Sequence, residues 1–440
     1  MGMQDMRIGL IHYSCPPIVG GVEEVLNNQA LILKRFGHSV KVLSGMGGGE
    51  GIPYPVQIEP LISSNSSIIN EIHEKIKRGD KEALKKTSEK VLEIIKEWAN
   101  DLDVIIAHNV LHMPFNLPLT FALWKLADLN EIPIISWAHD SPYFYPHSAD
   151  YLKKEPWDIL RKTHPNICYV TISESRKRLF EENGIYSDWH VIPNGIDPVS
   201  FFYLNEKSVK LAEELRLFER DFVFVQPSRI TPRKNIELSI HIVRGIKLSG
   251  YDILFLLTGA YDPHEKKAVS YYRRLKYWID NLGLSDNIAI LAEHVFKDGE
   301  RLVLDRIVIR DLYLMADMLL MPSKDEGFGL PLLEAGMIKL PIACSKIPPF
   351  EEIGEDVCFF NLEDPPMIIA GRILEYLART NTHKMFKKSM REYTLESICK
   401  KKLIPLLEEV IKDEKTCERE HRRPDSLSSW ETNRGAGKGA

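Results

Sequence analysis

The chain lacks any apolar run of the 18 or more residues that a membrane-spanning helix requires. It also lacks a basic leader followed by an apolar core and a small-residue cleavage site. Met1 to Met6 is polar and runs directly into Arg7-Ile8-Gly9-Leu10-Ile11, so no signal peptide is expected. The six cysteines, Cys15, Cys168, Cys344, Cys358, Cys399 and Cys417, are scattered, and none forms a Cys-x-x-Cys pair. That spacing excludes a zinc site and predicts free thiols in a reduced, cytoplasmic setting. Neither sign of charge dominates: 57 basic residues face 62 acidic ones, for a net charge of −5. A protein built to coat nucleic acid is thereby excluded. There is no short-period repeat.

What is present is an ordinary globular mix, 44% hydrophobic and 27% charged over 440 residues. That is room for two or three domains. Short, continuously apolar runs alternate with amphipathic stretches. Arg7–Ile11, Ser39–Ser44, Asp103–Ala107, Pro133–Trp137, Cys168–Ile172 and His190–Ile192 read as strands. Val22–Phe36 and Leu119–Leu129 read as helices between them, with Gly37 closing the first. Such runs are expected of parallel strands buried on both faces. Pro193-Asn194-Gly195-Ile196-Asp197-Pro198 is dense in turn residues and marks a boundary. A second alternation follows. Its strands are Phe222–Gln226, Ile253–Thr258, Ile288–Leu291, Met318–Met321 and Pro341–Cys344. Its helices are Ile236–Leu248, Tyr271–Leu282, Arg310–Met315 and Pro331–Met337. The expected domains are 1–198, 199–385, a helical segment 386–412 that could pack on either half, and a disordered tail 413–440.

Four clusters sit where strands end. The densest is Asp325-Glu326-Gly327-Phe328-Gly329-Leu330-Pro331-Leu332-Leu333-Glu334. Its glycines let backbone approach a ligand. Pro331 suits a first helical turn, whose free N–H groups favour an anion such as phosphate. Glu326 and Glu334 are bidentate acceptors suited to vicinal hydroxyls. The second, Pro227 to Asn235, carries Arg229 and Lys234, fixed positive charge for a diphosphate. The third is Gly20-Gly21-Val22-Glu23, and the fourth is Ser136-Trp137-Ala138-His139-Asp140. Ligands of doubly wound sheets lie at such strand ends. No Asp-x-Asp closes a first-half strand, and positive side chains stand where a metal would otherwise serve, so no metal is expected.

Together these clusters resemble the nucleotide-sugar-dependent glycosyltransferases of family 4, over residues 7 to 412. The Glu-x7-Glu pair Glu326 and Glu334 is the most specific element, joined by Arg229 and Lys234, Gly20 and Gly21, and Pro-Asn-Gly-Ile-Asp at the boundary. The resemblance implies the α/β GT-B architecture, two Rossmann-like doubly wound domains facing a central cleft. It implies a retaining transfer of a hexose, from GDP-mannose or UDP-glucose, to an acceptor hydroxyl without a metal or other cofactor. Arg229 and Lys234 would hold the departing diphosphate, helped by backbone from Gly327 through Phe328, Gly329 and Leu330 and by Gly21. Glu334 would bind the ribose, and Glu326 and His139 would lie beside the donor sugar. The base would rest near His294 and Val295. Trp137, Asp140 and Tyr143 suit a carbohydrate acceptor surface.

Two rivals stand beside this reading: a nucleotide-sugar 2-epimerase on the same fold, and a non-catalytic nucleotide-sugar-binding protein. The acceptor could be a small solute, a saccharide or a lipid-linked sugar, so peripheral membrane contact stays open. His12, His108 and His112 are expected to serve packing or to line an acceptor pocket. Gly47-Gly48-Gly49-Glu50-Gly51 lacks the ending of a P-loop and reads as a connecting loop. Across 68–99, lysines and glutamates nearly cancel, as on a solvated helical face.

Overall fold

The computed structural model describes residues 5–145, 149–259 and 266–421. The chain divides into two compact units. One holds the sequence up to Gly195 together with the segment from Leu395 onward, and the other holds Ile196–Thr394.

The first unit contains strands β1 (Arg7–His12), β2 (Ser39–Ser44), β3 (Val56–Ile58), β4 (Val104–His108), β5 (Ile134–Ala138), β6 (Ile167–Thr171) and β7 (His190–Val191). They form one parallel sheet in the order β3-β2-β1-β4-β5-β6-β7. Every residue of β4 and β5 is buried, which is why these strands read as unbroken apolar runs rather than as an alternation. The sheet is covered on both faces. Leu123 and Leu126 pack with Ile105 and Ile134 on one side. Leu26 and Leu33 pack with Leu10 and Ile106 on the other. Each such side chain contributes about 1.5–3 kcal/mol by leaving water.

The second unit repeats the plan with β8 (Phe222–Gln226), β9 (Ile253–Leu257), β10 (Ile288–Ile290), β11 (Met318–Met321), β12 (Ile342–Ser345) and β13 (Cys358–Phe360). Their order is β10-β9-β8-β11-β12-β13, again all parallel. In both sheets the direction of winding reverses beside the unit's first strand, between β1 and β4 and between β8 and β11. The carboxyl ends of those pairs are the crevices where ligands of such sheets bind.

Three expectations need correction. The edge strands β3 and β13 are absent from the sequence reading, because three residues at a sheet edge carry no legible period. The segment expected over 386–412 is divided. The helix Asn381–Glu392 stays with the second unit, and the chain from Leu395 packs Ile398, Leu403, Leu407 and Ile411 into the core of the first. The tail expected from 413 continues instead as the helix Ile404–His421, and the rest of it lies outside the described residues. Within 68–99 there are two helices, Ser67–Lys77 and Lys81–Ala99, capped by Ser66 and Asp80. Lys75 pairs with Glu71 at 2.7 Å and Lys77 with Glu74 at 2.9 Å on an exposed face. Among the described residues no helix is long and apolar enough to cross a membrane.

Candidate active site

The second unit gathers most of the expected site. β8 runs out into Pro227–Asn235, and β11 runs out into the loop that ends at Gly329. Gly329 has φ +106 and precedes the helix Leu330–Met337, with Pro331 in its first turn. A side chain at Gly329 would be strained in that left-handed conformation and would press on Phe350 and Ile353 at 3.0 Å. Arg229, Leu330, Pro331 and Glu334 line one open cavity of about 670 Å³, together with Ser228 and Gly259. A Cβ at Gly259 would fall 2.0 Å from the Ser228 carbonyl oxygen, so only glycine lets these two loops touch. The Arg229 guanidinium is exposed, and no described residue pairs with it. The Ser228 hydroxyl is buried without a partner among the described residues. A cation, an orphaned hydroxyl and the start of a helix thus share one wall, a combination suited to phosphate.

Glu334 lies on the helix, and its Oε2 accepts a hydrogen bond from the Tyr313 hydroxyl at 2.9 Å. Glu326 behaves differently. Its carboxylate is largely buried, and both oxygens are taken. Lys234 Nζ and Ser323 Oγ (2.8 Å) donate to Oε1, and Arg233 NH1 donates to Oε2 at 3.0 Å. Burial pushes the Glu326 carboxyl up, but hydrogen bonds from Lys234 and Ser323 and the charges of Lys234 and Arg233 outweigh it. The net shift is below the ordinary carboxylate range. Lys234, expected with Arg229 to hold a diphosphate, is paired here with Glu326. Gly327 has open space around it, and Phe328 and Leu330 are exposed.

His294 does not line the cavity, although nearby Ala292 does. Its Nε2 lies 3.4 Å from Glu214 Oε2, while its N–H and carbonyl bond to Leu291 and Leu302. Val295 is half exposed and pairs with Arg301 across a bridge.

In the first unit, Gly20 and Gly21 lead into the helix Gly21–Arg35. The Glu23 carboxylate folds back over Gly20, where a Cβ would meet Oε2 at 2.1 Å. Glu23 also accepts from Ser14 Oγ at 2.5 Å, and His12 Nε2 lies 3.8 Å away. Gly21 has nothing within 4 Å of a Cβ position. His12, His108 and His139 gather at the ends of β1, β4 and β5. The Nδ1–H of His12 donates to the His108 carbonyl at 2.7 Å. Neither nitrogen of His108 nor Nε2 of His139 has a partner among the described residues. Burial, with smaller contributions from His12 and Arg176, pushes His139 down to about 4, so its ring is neutral near pH 7.

Two acceptor assignments are corrected. Trp137 is 1% exposed inside the core, because β5 is buried on both faces. Tyr143 is also buried, and its hydroxyl donates to the Leu152 carbonyl at 2.6 Å. Neither presents a surface to a sugar. Asp140 is tied locally. It accepts from Arg176 at 3.2 Å, the Ser141 N–H at 2.9 Å and the Tyr145 hydroxyl at 2.8 Å. The sequence reading passed over Arg233, Ser228, Ser323 and Tyr313. Arg233 adjoins Lys234, and Ser228 and Ser323 lie in the same two loops. Tyr313 stands 21 residues from its partner, with no local signal. Among the described residues no group of three or more His, Cys, Asp or Glu is placed to hold a metal.

Two family models match the chain. Residues 19–200 match the family model described as Glycosyltransferase Family 4. Residues 209–393 match the one described as Glycosyl transferases group 1. Fold and matches together define a glycosyltransferase enzyme of GT-B architecture, which sets aside the epimerase and the non-catalytic reading. The chain belongs to glycosyltransferase family 4. It is 25% identical to the mannosylglucosylglycerate synthase of Petrotoga mobilis over 417 residues, 87% of this chain and 91% of that one. It is 26% identical to the Thermotoga maritima protein of that name over 436 residues, 89% of this chain and 94% of that one. Among solved structures, a glycosyltransferase from Rickettsia africae is 20% identical, with coverage of 93% and 100% and a TM-score of 0.36.

Proposed function

We propose that the enzyme transfers a hexose, with retention of configuration, from a nucleotide diphosphate sugar to a hydroxyl of a small, soluble, anionic sugar acceptor. GDP-mannose is the first candidate donor and UDP-glucose the second, and a glucosylglycerate is the first candidate acceptor. The observation that carries this reading is the cavity of the second unit. It sets Arg229, unpaired among the described residues, beside the start of the helix Leu330–Met337 and the Glu334–Tyr313 pair. The names of two relatives aligned over most of both chains support mannose and glucosylglycerate.

In this reading the diphosphate rests on Arg229, the Ser228 hydroxyl and the N–H groups of Gly329 and Leu330. Glu334, oriented by Tyr313, accepts from the ribose hydroxyls. Lys234 turns from Glu326 to the diphosphate as charge builds on the leaving oxygen. The acceptor hydroxyl attacks the anomeric carbon on the face that the diphosphate leaves. The new carbon–oxygen bond forms as the bond to phosphate breaks, and the hydroxyl proton passes to a phosphate oxygen. No metal takes part, so a chelator leaves the rate unchanged. Ionised Glu326 contacts the sugar hydroxyls.

The test is a matrix of donors (GDP-mannose, UDP-glucose, GDP-glucose) against acceptors (glucosylglycerate, glycerate, none), scored by product mass and anomeric NMR. Transfer from GDP-mannose to glucosylglycerate with an α-linked product supports the reading. Inverted product, or no transfer to either glucosylglycerate or glycerate, contradicts it.

A further inference from the structure

The Glu326 carboxylate carries one negative charge and has two cationic partners. Lys234 is the deeper of them, with its side chain 13% exposed, while Arg233 is 44% exposed. The two cations come from one short turn, Pro232–Lys234, that the fold holds firmly. Asn235 leaves it at φ 51, and the Gln226 side chain donates to the Lys234 carbonyl at 3.0 Å. Ser239 in turn donates to Gln226 at 2.6 Å. Arg233 also grips the backbone of the facing loop. Its NH1 donates to the Asp325 carbonyl at 2.7 Å, and its own carbonyl accepts from the Lys324 N–H at 2.9 Å. Arg233 thus binds both the carboxylate and the strand of chain that carries it, whereas Lys234 binds the carboxylate alone.

The difference matters when a diphosphate arrives. Lys234 cannot serve both anions fully, and without Arg233 its departure would strip a largely buried carboxylate of cationic pairing and so oppose the exchange. We propose that Arg233 is a positioning residue, which keeps Glu326 paired and aimed so that Lys234 is free to move to the donor diphosphate. This inference rests on the donor reading above. Arg233 itself does not touch the nucleotide. Its effect passes through Glu326. Among the described residues, the charged groups that face Glu326 are Lys234 and Arg233.

A double-mutant cycle isolates that route. GDP and UDP binding are measured by calorimetry at pH 7 for the wild type, Arg233→Gln, Glu326→Gln and the double variant. Arg233→Gln is expected to weaken nucleotide binding about tenfold, the order of one charge-assisted hydrogen bond, and to have less than a twofold effect when Glu326 is already Gln. Arg233→Lys should restore most of the affinity. In turnover, Arg233→Gln should move the acid limb of kcat to higher pH, since Glu326 then protonates more readily. Equal losses in both Glu326 backgrounds would mean that Arg233 contacts the nucleotide or only braces the loop. That result, no loss at all, or an unmoved acid limb would overturn the proposal while leaving the donor reading intact. Absence of GDP and UDP binding by the wild type would overturn both.

Discussion

The Tyr313 hydroxyl donates a 2.9 Å hydrogen bond to Glu334 Oε2 from a separate helix, Arg306–Met315, and so fixes the carboxylate that borders the cavity. Burial and the Glu334 charge hold the phenol well above its ordinary range, so it remains a donor at every working pH. Replacing Tyr313 by Phe removes the bond and little else. We expect the donor KM to rise about three- to tenfold, the order of one hydrogen bond near 1 kcal/mol, with kcat little changed. Steady-state kinetics with varied donor check this. An equal fall in kcat at constant KM would place Tyr313 in the chemical step instead.

Lys234 is paired with Glu326 in the free protein, and in the proposed reaction it moves to the leaving group. Lys234→Ala should therefore cut kcat by two or more orders of magnitude, as loss of an oxyanion donor does. Because Arg233 and Ser323 still hold Glu326, the fold should survive, which a thermal melt would show. A near-wild-type rate would contradict the assignment.

Tyr143 is a structural residue rather than an acceptor contact. Tyr143→Phe should leave the acceptor KM unchanged while lowering stability by about 1 kcal/mol through loss of the bond to the Leu152 carbonyl. Denaturant unfolding and acceptor titrations on one preparation separate the two effects.

Stability should fall with acidity in a defined window. Burial pushes both His112 and His139 from an ordinary 6.5 down to about 4. Their folded-state values lie below the unfolded ones, so between about pH 6.5 and 4 the unfolded chain binds more protons. The stability they confer is fully present above 6.5 and is lost as pH falls toward 4, by an order of ~3 kcal/mol for each. Melting temperatures recorded across that range should drop steeply, and a flat profile would show that these rings are hydrated.

Much of this was legible in the sequence for a physical reason. Strands buried on both faces, such as Val104–His108, must be apolar throughout, so they stand out even without alternation. Glu326, Glu334, Arg229 and Lys234 follow such strands closely, and the topology brings Arg229 and Glu334 to one cavity. What escaped depends on contacts across many residues. Sequence order does not say that Arg233 shares a carboxylate with its neighbour, or that Tyr313 reaches a glutamate on another helix. Nor does an aromatic cluster near a strand end reveal whether its rings face solvent. Trp137 and Tyr143 turn inward because their stretch is packed beneath the rest of the first unit.

The most direct test of the account is a crystal structure with GDP bound. The account predicts the diphosphate in the cavity of the second unit, within hydrogen-bond distance of Arg229 and of the N–H groups of Gly329 and Leu330. Lys234 should be turned toward it, and Glu326 still held by Arg233. A nucleotide bound elsewhere, or bound there with Arg229 facing away and Lys234 unmoved, would contradict it.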